Sequence, residues 1–303
     1  MINIKFKNII RISLIIIVLM VFFMPLNTYS QFRERPPMVY REFRENVSLD
    51  PLVFYYKDSL DGRLDLYIEI PIRTLQFKYN YSKASYSSSF DYIITIKNIT
   101  DNIIADNTYN ETLVNSESEQ KSMSSASLYR IKQFYLPPDK YKIIFKLKDN
   151  NSLNEYNKTL DFEIRYIDKN KLIFSDIMLL SDYKIDSNGK KEITPIINGY
   201  LGKLKEFYIF YEVVNKTDST FNYTYNYNII NKEGKSFGKG TLDCTINPGI
   251  NQFFEKLNVN NNITGNYKIE ISDINTNEVV TEKTLNNFSN EMPYPRRGPR
   301  GHI

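Results

Sequence analysis

From residue 90 the chain reads FDYIITIKN: Phe90, Tyr92, Ile94 and Ile96 share one face of an extended strand, while Asp91, Thr95 and Lys97 take the other. The same alternation returns in YKIIFKL at 141–147, where Tyr141, Ile143, Phe145 and Leu147 point one way and Lys142, Lys146 and Lys148 the other. It returns again in YKIEIS, with Tyr267, Ile269 and Ile271 opposite Lys268 and Glu270. LVFYYKDS and RLDLYIEIP flank Leu60-Asp61-Gly62, a turn signal, and predict a hairpin. Further strands are predicted over 102–113 and 127–136, with the polar run NSESEQKSMSS (115–125) between them as an exposed loop. Outside the N-terminus no stretch carries a helical period.

The pattern occurs in two copies. LPPDKYKIIFKLKD followed by NEYNKTLDFEI matches, in outline, NYKIEISD followed by NEVVTEKTLNNF, with the second copy's first strand about two residues shorter. Short strands at regular spacing with turn chemistry between them are the pattern of an antiparallel sandwich. The expected fold class is therefore all-β, with two tandem antiparallel immunoglobulin-like β-sandwich domains after a signal peptide. The expected organisation is a leader over 1–30, a charged N-terminal arm over 31–48, domain 1 over 49–168 and domain 2 over 169–288. A Pro/Gly/Arg tail over 289–303 is expected to be disordered. The short polar joint at Asp168-Lys169-Asn170 predicts sandwiches packed end to end with limited freedom.

The stretch FNYTYNYNII poses the main functional question. Phe221, Tyr223, Tyr225, Tyr227 and Ile229 fall on one face, and Asn222, Thr224, Asn226 and Asn228 on the other. The row is either a platform for stacking sugars or the inner face of a sandwich. An Asn/Thr face suits solvent, and each sheet needs one dry face, so the tyrosines are expected in the core. EFYIFYEVV supplies Phe207, Ile209, Tyr211 and Val213 to pack against them.

Composition adds compartment. The N-terminus has a basic start, an apolar run from Ile12 to Phe23, then Pro25 and small residues at Thr28 and Ser30 before Gln31. That shape predicts a secretory signal peptide cleaved between Ser30 and Gln31. An uncleaved anchor is the alternative, but the run is short of the roughly 20 residues that span a bilayer. Cys244 is the single cysteine, so no intrachain disulfide accompanies export, and its alternation with Leu242 and Ile246 predicts a small buried hydrophobe. The net charge of +4 turns to −2 once Lys5, Lys7 and Arg11 of the leader and Arg296, Arg297 and Arg300 of the tail are set aside. No basic field for nucleic acid remains.

Catalytic chemistry is thinly supplied. His302 is the single histidine and sits in the tail, which removes Ser-His-Asp, Cys-His and most zinc sites. The acids Asp61, Asp139, Asp149, Asp186 and Asp273 sit in or beside turns and are read as solvated turn carboxylates. In DYKIDSNGKKE, Gly189 stands three residues after Asp186, which fails the EF-hand spacing and predicts a hairpin turn instead. No catalytic, cofactor-binding or metal residue is assigned.

LYIEIPIRTLQF (66–77), LPPDKYKIIFKLKD (136–149), LIFSDIMLLS (172–181) and EFYIFYEVVNK (206–216), in that order, resemble the N-terminal β-sandwich region of bacterial GWxTD-domain proteins. The naming motif of that family needs a Trp, and this sequence has none, so no functional residue carries over. The resemblance implies an exported, envelope-associated bacterial protein in the periplasm, at the cell surface or outside the cell. The expected function is non-enzymatic: an envelope scaffold or protein-interaction module whose partner is another envelope protein. The alternative is a module that binds carbohydrate or another polymer through exposed Tyr and Phe.

Overall fold

The computed structural model describes residues 47–122, 126–166, 172–199, 201, 204, 206–258 and 265–287. The expected leader, the arm up to residue 46, the joint at 168–170 and the tail lie outside the described residues. Alternating sequence gives seventeen strands: β1 Ser48–Tyr55, β2 Gly62–Pro71, β3 Lys78–Asn80, β4 Ser85–Asn98, β5 Ile103–Ser116, β6 Ser127–Leu136, β7 Asp139–Asp149, β8 Glu155–Ile164, β9 Ile173–Phe174, β10 Met178–Ile185, β11 Lys191–Pro195, β12 Glu206–Asn215, β13 Phe221–Asn231, β14 Ser236–Ile246, β15 Gly249–Asn258, β16 Gly265–Asp273 and β17 Val279–Asn287. All the strand pairings are antiparallel.

Four sheets form, in the orders β1-β2-β6, β5-β4-β7-β8 with β3 on β4, β11-β10-β12-β15 with β9 on β12, and β14-β13-β16-β17. The second half repeats the pairing of seven strands of the first. β10, β12 and β15 take the places of β1, β2 and β6, while β14, β13, β16 and β17 take those of β5, β4, β7 and β8. The chain is therefore a tandem of immunoglobulin-like sandwiches, three matched strands facing four in each with β3, β9 and β11 added, and the duplicated hairpins read in the sequence are β7–β8 and β16–β17. β7 has eleven residues and β16 nine.

The cores follow the alternation. Phe90, Tyr92, Ile94, Ile96, Ile143, Phe145 and Leu147 are buried in the first, and Phe207, Ile209, Tyr211, Val213, Tyr225, Ile229, Ile269 and Ile271 in the second. Tyr225 is 2% exposed, and Phe221, Tyr223 and Tyr227 pack partly buried beside it, so the tyrosine row is an inner face. Gly62 serves a close approach rather than a turn conformation: a Cβ there would stand 2.7 Å from Ile164 Cγ2. Gly189, in contrast, has φ +77° and closes the β10–β11 turn, where Asp186 Oδ1 accepts from the Asn188 and Lys190 amides.

Three sequence readings need correction. The run 115–125 is not all loop: β5 continues to Ser116 and a short helix, α1, spans Glu117–Ser122. Ser116 and Glu119 form a reciprocal cap, Glu119 Oε2 accepting from the Ser116 amide at 2.7 Å and Ser116 Oγ from the Glu119 amide at 3.4 Å. Asp149 is not solvated but fully buried, accepting from the Gln76 amide at 2.8 Å, the Asn151 amide at 3.0 Å and the Ser152 hydroxyl at 2.7 Å. Those donors replace water, which is what lets a carboxylate stay inside. The arm ends sooner than residue 48, since Val47 is a core residue and β1 begins at Ser48.

The two sandwiches share a third apolar cluster. Leu52, Phe54 and Tyr67, on the outward faces of β1 and β2, pack against Met178, Leu180, Ile197 and Phe210. Val214 and Ile173 belong to the first core although β12 and β9 belong to the second sheet pair. The segment Ser175–Asp176 fastens this seam. The Asp176 amide donates to Val53 O at 2.9 Å, the Val53 amide donates back to Asp176 Oδ2 at 2.8 Å, and Thr281 Oγ1 donates to Ser175 O at 2.8 Å.

Candidate interaction surface

β6 is an edge strand of its sheet, and its pattern is inverted relative to a simple hydrophobic reading. Tyr129, Ile131 and Tyr135 lie on the outward face at 57%, 52% and 60% exposure. Arg130 and Lys132 take the inward face with buried Phe134 and Leu136. The cations are held there by specific partners. Arg130 donates through Nε and Nη2 to Glu111, with Nη2–Oε2 at 2.5 Å, and Lys132 Nζ lies 3.7 Å from the centre of the Tyr109 ring. The Tyr92 hydroxyl donates to Glu111 at 3.0 Å. Burial pushes the Glu111 carboxyl up, but the Arg130 fork and the Tyr92 hydroxyl outweigh it and hold the group below its ordinary range.

The apolar row continues onto the β1–β2 turn. Tyr56 and Tyr135 rings lie 6.1 Å apart at 26°, with their hydroxyls 3.4 Å apart. Arg63 sits over Tyr56 and over Phe54, and donates to the Tyr56 hydroxyl at 3.0 Å. Its Nε is 2.9 Å from Asp65 Oδ1, an ion contact without the alignment of a hydrogen bond. Burial raises the Asp65 carboxyl above its ordinary value despite Arg63 and the Gln133 amide.

Beyond Arg63 lies a polar cleft of about 580 Å³ lined by Glu212, Gln252 and Lys191. Gln252 Nε2 donates to Glu212 Oε1 at 3.0 Å and Lys191 Nζ donates to Gln252 Oε1 at 2.9 Å, so its polar groups are already paired with one another. Exposed Tyr79 and Tyr81 and half-buried Tyr86 meet edge to face at 87° and 61° and make no flat platform.

The remaining candidates are structural. Cys244 is buried, 3.6 Å from the Tyr211 hydroxyl, and burial pushes its thiol up, away from reactivity. Asp186 and Asp273 accept turn amides, the latter from Asn275 and Thr276 at 2.8 and 2.9 Å. Asp139 accepts from the Lys140 amide at 2.7 Å and Asp61 is exposed. No group of three or more His, Cys, Asp or Glu positioned to hold a metal occurs among the described residues. His302 lies outside them. Among the described residues no helix is long and apolar enough to cross a membrane.

Comparison with known proteins yields no family model that matches and no curated protein that matches. Solved structures match at low similarity. A glycosyl hydrolase family 2 member from Bacteroides cellulosilyticus is 9% identical with a TM-score of 0.29, covering 73% of this chain and 28% of its own. A biofilm-associated protein BSP domain is 11% identical with a TM-score of 0.25, covering 81% and 52%. Trypsin-activated α2-macroglobulin from Escherichia coli is 10% identical with a TM-score of 0.26, covering 82% and 17%. The chain spans about half or less of each of these three. Such likeness carries no functional argument.

Proposed function

We propose that the protein is an exported, non-enzymatic scaffold that binds another envelope protein along β6. The observation that supports this is the inverted edge strand. Burying Tyr129, Ile131 and Tyr135 would be the default for apolar side chains, yet they face solvent while two cations line the inner side. An open edge also offers backbone donors and acceptors to a partner strand, whose side chains would meet the Tyr/Ile row. We group the chain with the N-terminal sandwiches of GWxTD-domain proteins on residues 66–77, 136–149, 172–181 and 206–216.

A photo-crosslinking side chain at position 131, and separately at Lys146 on the solvent face of β7, tests this in source-cell envelopes. One discrete protein adduct from 131 and none from 146 is expected. Equal labelling from both positions, or none from 131, overturns the reading. The near-parallel Tyr56–Tyr135 pair supports a second reading, polysaccharide binding. Its sign would be a polysaccharide that raises the melting temperature of the wild type but not of Tyr135→Ala.

A further inference from the structure

At the seam, Lys283 of β17 contacts Asp50 of β1, 233 residues away in sequence. Both side chains are nearly enclosed, at 13% and 10% exposure. Asp176 lines the same groove of about 780 Å³, its Oδ2 occupied by the Val53 amide, and it feels the charges of both partners. Leu49, Leu160 and Val280 line the groove together with Arg165, Asp161, Glu163 and Glu282. A salt bridge there is a poor bargain, because desolvating two charges in such a place can exceed their mutual attraction.

From this geometry we propose that the seam is a covalent staple: Lys283 Nζ condenses with the Asp50 side chain to form an isopeptide bond, with Asp176 as the proton carrier. Proton transfer from the ammonium to the carboxylate first converts the desolvated pair to a neutral amine and a carboxylic acid. The amine attacks Asp50 Cγ, the carboxyl of Asp176 gives a proton to the departing oxygen and recovers one from the nitrogen, and water leaves. One C–N bond forms and one C–O bond breaks; nothing is oxidised or reduced. Burial raises the carboxyls of Asp50 and Asp176 above their ordinary range, against the pull of Lys283 on Asp50 and of the Val53 amide, Arg165 and Lys283 on Asp176, and so favours the acid forms the step requires. Holding amine and acid together in a folded interior supplies the effective concentration that free amines and acids lack in water, on the order of 10⁵ M or more for well-oriented groups.

Other outcomes at these residues are narrowed by their neighbours. Pro51 follows Asp50 and has no amide N–H, so Asp50 cannot lose water by closing on its own backbone as a cyclic imide. Lys158, the other cation whose charge Asp50 feels, donates instead to Val47 O at 3.4 Å. With one cysteine in the chain no disulfide is open to it, and this bond would tie the first strand to the last.

Intact-mass measurement of the folded full chain tests the proposal. The wild type is expected to be lighter than its sequence by one water, and Lys283→Arg, which keeps the charge, to show its full sequence mass. Trypsin should release one branched peptide joining 45–57 to 269–296, with Lys283 uncleaved. Asp176→Asn, which keeps an acceptor for Val53, should leave folded chain at full mass. Folded wild type at full mass overturns the proposal, as does water loss that persists in Lys283→Arg. Water loss that persists in Asp176→Asn overturns the role given to Asp176.

Discussion

Tyr225 and Asn226 are adjacent residues with opposite environments, and they show how far alternation alone decides a side chain's worth. Tyr225 is buried beside Phe174 and Tyr223, whereas Asn226 lies on the partly open opposite face. Tyr225→Ser is expected to cost about 3 kcal/mol in urea unfolding, in the range of large-to-small aromatic changes in cores. Asn226→Ser should stay within about 0.5 kcal/mol, and equal losses would mean the faces are misassigned. Glu111 gives a pH prediction at the same scale. Its carboxyl is held below its ordinary value near 4.5, so the unfolded chain takes up that proton first as pH falls. The stability it contributes is present above about pH 4.5 and lost as pH drops through the depressed folded value. Glu111→Gln should therefore unfold more easily at pH 7 and show a shallower acid limb; an unchanged limb in denaturant titrations would contradict the assigned fork.

Among the elements, those with one dry face were legible in the sequence and those with two were only half legible. β4, β7, β13 and β16 put most of their apolar residues on a single face, with Ile93, Ile144 and Ile230 on the other, and period two placed the buried set correctly. β1 is apolar on both: Leu49, Val53 and Tyr55 face the first core, Leu52 and Phe54 the seam. A doubly apolar strand announces burial on both sides but not what covers the second, so Asp50 and Asp176 gave no sign of a shared groove. β6 misleads more directly, because whether the Tyr row or the cation row faces inward depends on Glu111 and Tyr109 of another sheet. The one signal for helix α1, Ser116-x-x-Glu119, is lost in a polar run that reads as loop. Ile131→Lys, on the outward face of β6, is expected to leave the unfolding free energy in urea within about 0.5 kcal/mol of wild type while abolishing the adduct formed from Tyr129 substituted by a photo-crosslinker. A large loss of stability would show the row to be structural.

For the whole molecule, the duplication explains the parts and the seam explains the unit. Each sandwich has its own core, so a fragment of residues 170–290 should melt cooperatively with β-type circular dichroism. It exposes Met178, Leu180 and Phe210, however, and its Ile173 and Val214 lose the core they enter. The fragment should melt below the full chain and self-associate more readily; a random-coil spectrum would replace two sandwiches with one intertwined structure. The central claim is that the seam makes the two sandwiches unfold together. Amide hydrogen exchange followed by mass spectrometry at β7 and β16, in wild type and Phe210→Ala, tests it most directly. Phe210 touches neither strand's own core, and its truncation is expected to lower the slowest protection in both by the same amount, about 3 kcal/mol. Protection lost at β16 with β7 unchanged would contradict the account.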